Sequence, residues 1–63
     1  MNAYDHNGDQ LSVGDYVMCL SNGCELESEI VSILPDNQIE VVPCDDDDNK
    51  KTTVNADDAF LLL

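Results

Sequence analysis

Apolar side chains recur at alternate positions through most of this chain, and polar turn dipeptides interrupt them at short intervals. Alternation with period two marks half-buried strands, and Asn-Gly or Pro-Asp pairs mark the turns between them. Asp5-His6-Asn7-Gly8-Asp9 centres on Asn-Gly, a strong hairpin signal. Leu11 to Asp15 leads into a strand over Tyr16 to Leu20. A second Asn-Gly, at Asn22-Gly23, reads as a two-residue loop that sets Leu20 opposite Glu25, Cys19 opposite Leu26 and Met18 opposite Glu27.

The next strand, Cys24 to Leu34, alternates clearly. Glu25, Glu27 and Glu29 point one way, and Leu26, Ser28 and Ile30 the other. The pattern slips by one at Ile30-Val31, which is the signature of a β-bulge. Pro35-Asp36-Asn37 is a turn, and Gln38 to Pro43 is a strand with Ile39 and Val41 inward and Glu40 outward. Cys44 to Lys51 reads as a polar loop and Lys51 to Val54 as a short strand. Asn55 to Ala59 reads as one helical turn capped by Asn55, followed by a last strand from Phe60 to Leu63. The expected core is Leu11, Val13, Val17, Cys19, Leu26, Ile30, Val31, Ile33, Ile39, Val41, Val54, Phe60 and Leu62.

The expected fold class is therefore all-β: about five short antiparallel strands with a helical (3-10) turn before the last, in a single domain spanning residues 1–63. The string Val13-Gly14-Asp15-x-Val17, followed by an acidic hairpin, Ile30-Val31-x-Ile33, Ile39-x-Val41 and Val54…Asp58-x-Phe60-x-Leu62, resembles the KOW and Tudor branches of the SH3-like barrels. That resemblance covers about residues 11–63 and implies a small SH3-like barrel. Tudor-like barrels often hold methylated cations in an aromatic cage. Here the third strand and the segment after the fourth carry Leu26-Glu27 and Val42 to Asp46 instead, so the cage is missing.

Charge changes the picture most. The 63 residues hold fourteen acidic side chains against two lysines, a formal net charge of −12. The excess is spread along the chain: six acids precede residue 35, and eight acids with Lys50 and Lys51 follow. Such a chain repels nucleic acid and anionic membrane and attracts basic surfaces within a Debye length of about 8–10 Å. KOW barrels that touch RNA need basic and stacking groups, and this surface has the opposite sign.

Three cysteines, an odd number, argue against a secreted disulfide scaffold. The acidic N-terminal segment has no apolar stretch of signal-peptide type. The expected compartment is the cytoplasm, that of the host cell if the source is viral.

Candidate chemistries are few. Asp45-Asp46-Asp47-Asp48 invites a hard cation, yet adjacent residues of an extended loop do not converge on one ion. Asp5-x-Asn7-Gly8-Asp9 has its glycine at the wrong place for a calcium loop. Cys19, Cys24, Cys44 and His6 lack the paired spacing of a zinc set. The single histidine, in a turn, has no base or nucleophile predictable beside it. The expectation is a non-enzyme without metal or cofactor.

Solubility alone asks for about four to eight net charges, fewer than this chain carries. The acidic surface is thus expected to meet a basic protein surface through Glu25, Glu27, Glu29, Glu40, Asp45, Asp46, Asp47 and Asp48. Its sharpest form is an inhibitor that imitates nucleic acid in the groove of a DNA- or RNA-binding host protein, and small acidic chains of this kind resemble phage inhibitors. Alternate strand residues lie about 6.6–6.8 Å apart, against one charge per about 3.4 Å along one DNA strand, so the glutamate row alone is half as dense. The other expectation is a general SH3-like structural or adaptor module, acidic mainly for solubility.

Overall fold

The structure, a computed structural model, describes residues 1–21, 24–44 and 50–62, and only the backbone of residues 20, 21 and 24–26. The described residues are all-β apart from one 3-10 turn. The strands are β1 (Ala3–Tyr4), β2 (Gln10–Leu11), β3 (Tyr16–Ser21), β4 (Cys24–Leu34), β5 (Gln38–Pro43), β6 (Thr52–Asn55) and β7 (Ala59–Leu61), with the 3-10 turn at Ala56–Asp58. The pair β1-β2 forms a small sheet, and the other five form an antiparallel sheet in the order β6-β5-β4-β3-β7. Among the described residues no helix is long and apolar enough to cross a membrane.

The β3-β4 register is the one expected, with Met18 opposite Glu27, Cys19 opposite Leu26 and Leu20 opposite Glu25. The slip at Ile30-Val31 is a register shift between Ile30 and Ser32 against β5. It lets the eleven-residue β4 pair with β3 along its first half and with β5 along its second. Before β3, Gly14 takes φ +95°, a conformation that costs glycine little. Its N–H donates to the Ile30 carbonyl, and Ile30 N–H donates to the Asp15 carbonyl. The Asp15 carboxylate accepts the Ser12 N–H at 2.9 Å. The Gly-Asp pair thus closes the turn and ties it to β4 at the bulge. At the β4-β5 turn, Asp36 and Asn37 both have positive φ, 63° and 58°, as the two central positions of a type I′ turn require.

Ala3, Leu11, Val17, Cys19, Ile30, Ile39, Val41, Ala56 and Ala59 make the core, with Ile33, Val54 and Leu61 packed against it. Four expectations change. Val31 is half-buried and outside this core, because it is the extra residue at the register shift between Ile30 and Ser32. Val13 is 63 % exposed, because it sits in the turn ahead of β3 and not on a sheet face. In β7 the inward residues are Ala59 and Leu61, not Phe60 and Leu62: Val17 pairs with Leu61 and Cys19 with Ala59, so these four share the inner face and Phe60 joins Met18 outside. Asn55 flanks the 3-10 turn, but its side chain makes no cap bond; Asn55 Oδ1 instead accepts Gln38 Nε2–H at 3.5 Å. Leu26 contributes a backbone pair, its side chain being outside the description.

Candidate functional site

Strand parity sorts the acidic residues. Ser28 and Ile30 are buried between Glu27 and Glu29 and beyond, and Ile39 and Val41 are buried on either side of Glu40. Because Ile30 pairs with Val41 and Glu29 with Val42, Glu27, Glu29 and Glu40 all lie on the outer face of the same sheet. Glu27 and Glu29 are exposed, and Glu40 is half-buried. Adjacent strands are about 4.8 Å apart and alternate residues about 6.6–6.8 Å, so the three carboxylates form a staggered group across β4 and β5. The Glu25 backbone pairs with Leu20, but its side chain lies outside the described residues, as do Asp45, Asp46, Asp47 and Asp48 altogether.

The same face carries apolar groups. Phe60, Met18 and Glu27 stand in one row across β7, β3 and β4, and Tyr16, Glu29 and Val42 stand in the next across β3, β4 and β5. Tyr16 is 47 % exposed, while Met18, Phe60 and Val42 are half-buried. The His6 ring lies 5.0 Å from that of Phe60. This strip was absent from the sequence expectation, which placed Phe60 in the core. The signal was available: the Asn22-Gly23 register already sets Met18 opposite Glu27, hence on the glutamate face.

Two aspartates hold the fold instead of facing a partner. Asp15 closes the turn before β3. Asp5 is buried, and its Oδ1 accepts the N–H groups of Asn7 and Asp9 at 2.9 and 2.8 Å, while Oδ2 accepts that of Leu61 at 2.8 Å. Burial pushes the Asp5 carboxyl up, but the backbone donors of Leu61, Asp9, Asn7 and Gly8 together outweigh it and hold its pKa below the ordinary value. His6 N–H also donates to the Ala59 carbonyl, so the first hairpin covers the outer edge of β7.

At the same end, Asn37 joins three elements. Its Oδ1 accepts Tyr4 N–H at 2.7 Å, its Nδ2 donates to the Tyr4 carbonyl and to Asp57 Oδ1 at 3.2 and 3.0 Å, and its own carbonyl accepts Ala56 N–H. His6, exposed as expected, donates from Nδ1 to the Asp57 carbonyl at 3.3 Å.

Cys19 is buried and Cys44 exposed. Burial raises the Cys19 thiol pKa, and the Ser28 hydroxyl offsets this in part. Among the described residues there is no group of three His, Cys, Asp or Glu placed to hold a metal ion, and no pocket. No protein-family model, curated protein or solved structure matches the chain.

Proposed function

We propose that this chain is an SH3-like barrel serving as a non-catalytic interaction module, whose acidic outer face binds a basic surface of another protein. The strand order β6-β5-β4-β3-β7 supports the barrel: four strands follow one another as a meander, and the fifth returns after a 3-10 turn to pair with the first of them. The bulged β4, shared between β3 and β5, supplies the bend that closure needs.

One observation carries the binding role. Glu27, Glu29 and Glu40 share one face, and among the described residues no carboxylate is paired with either lysine. Asp5 and Asp15 are taken up by backbone donors in the fold, whereas Glu27 and Glu29 are left to solvent and Glu40 is half-buried with no ion pair among the described residues. The partner class that fits best is a nucleic-acid-binding protein, whose basic groove already accepts a row of negative charges. Affinity capture from a lysate at low and high salt, with and without added nucleic acid, tests this. The reading expects one basic protein, released by salt and displaced by nucleic acid. Capture indifferent to both contradicts it.

A further inference from the structure

A surface that imitated phosphates alone would have no use for apolar groups, yet the glutamate face carries them. The row Phe60, Met18, Glu27 and the row Tyr16, Glu29, Val42 place a hydrophobic strip directly beside two exposed carboxylates. Tyr16 leaves 47 % of its surface in solvent, and Met18, Val42 and Phe60 are half-buried. Half-exposed apolar groups gathered on one sheet face mark interaction sites more often than scattered ones do.

Charge decides what can cover the strip. A second copy brings another −12 and is repelled, as are nucleic acid and anionic lipid. An uncharged apolar segment would strip water from Glu27 and Glu29 without replacing it, at a cost that unpaired carboxylates make prohibitive. A segment with both characters meets neither objection. Single-strand-binding proteins present such segments: aromatic side chains that stack on bases, interleaved with arginine and lysine that follow the backbone. Alternate side chains of an extended segment repeat at about 6.6–6.8 Å, which is also the spacing of Glu27 and Glu29 along β4. Arginine suits the site further, since its planar group can pair with a carboxylate while stacking on a phenol ring.

We propose that the outer face of β7, β3 and β4 is a docking strip for an extended aromatic-and-basic segment of a nucleic-acid-binding protein. Tyr16, Met18 and Phe60 take the place of stacked bases, and Glu27 and Glu29 take the place of phosphates. This rests on the acidic-surface reading above and names its site.

Two synthetic peptides of equal length and equal positive charge test it, one alternating arginine with tyrosine and the other arginine with serine, each titrated into the isotopically labelled full chain at about 0.15 M salt. The strip predicts that the arginine-tyrosine peptide binds about tenfold tighter or more, with amide shifts centred on Tyr16, Met18, Glu27, Glu29 and Phe60. Tyr16→Ala then brings its affinity down to that of the arginine-serine peptide, with the unperturbed part of the spectrum showing that the fold is kept. Equal binding of both peptides, or shifts centred on Asp36, Asp57 and Asp58, overturns the strip while leaving a general acidic surface standing. Binding of neither peptide overturns both.

Discussion

Leu61 donates its backbone N–H to the Asp5 carboxylate at 2.8 Å, across 56 positions of sequence. The other Asp5 oxygen organises the first hairpin through Asn7 and Asp9, so one side chain both builds that hairpin and fixes it along the edge of β7. An uncovered edge strand is a template for aggregation, and here the cover is held by charge-assisted bonds.

Asp5→Asn keeps the size but turns an N–H donor toward backbone donors. The expected loss is about 2–4 kcal/mol in chemical denaturation, accompanied by a greater tendency to aggregate. A loss under about 0.5 kcal/mol would show that the hairpin is held by other contacts.

Acid sensitivity follows from the same group. The Asp5 pKa is lowered in the fold from an ordinary value of 3.8. Its contribution is therefore complete above about pH 3.8 and is lost as pH falls through the lower, folded value. Stability measured between pH 5 and 2, in about 0.15 M salt, should fall less steeply in Asp5→Asn than in the parent. Parallel curves would place the acid response elsewhere.

Much of this was legible in the sequence, and the parts that were not share a cause. The β3-β4 register and the bulge at Ile30-Val31 were legible because period-two alternation and an Asn-Gly dipeptide are local signals, although the conformation of Asn22-Gly23 itself lies outside the described residues. Asp5 read as an ordinary turn residue, since its partner Leu61 is local only in space. The parity of β7 was misread for a similar reason. Phe60 is the more hydrophobic choice, but pairing with Val17 and Cys19 turns Ala59 and Leu61 inward. Ala3, Ala56 and Ala59 were passed over because an alanine contributes little transfer energy, although close backbones need small side chains. Glu27 and Glu29 were legible as one row and Glu40 as outward-facing, but that the three share one face follows only from the β4-β5 register; the apolar strip beside them was hidden by assigning Phe60 to the core.

Half-buried Asn37, which bonds to Tyr4 and Asp57, should be sensitive to substitution. Replacing it with alanine removes its bonds to Tyr4 and Asp57 and leaves a side chain with Cβ at φ 58°. The expected cost is about 2–3 kcal/mol, and Asn37→Gly should recover about 1 kcal/mol of it by relieving the backbone. Equal costs for the two variants would mean that the left-handed turn carries no strain.

Self-repulsion should make stability depend on salt. With a net charge of −12 and no ion pair among the described residues, shortening the Debye length from about 30 Å to about 8 Å screens repulsion. A gain of about 1 kcal/mol corresponds to a rise in Tm of about 4–8 °C for a domain of this size. Calorimetry at about 0.01 and 0.15 M salt checks this, and a Tm that falls or stays constant would count against it.

Cys19 should resist modification. It is 4 % exposed and its thiol pKa is raised by burial. Alkylation followed by mass spectrometry should find it roughly a hundredfold or more slower to react than exposed Cys44 in the native protein, with the difference lost in denaturant. Comparable native rates would mean that β3 opens readily.

The acidic outer face itself is tested most directly by reversing its charge on a captured partner. Glu27→Lys, Glu29→Lys and Glu40→Lys, combined in one chain, change the face without touching Asp5, Asp15 or the core. The expected result is partner affinity weakened by about a hundredfold or more with Tm unchanged or raised. Undiminished affinity in this folded variant would contradict the claim that the glutamate face is where the partner binds.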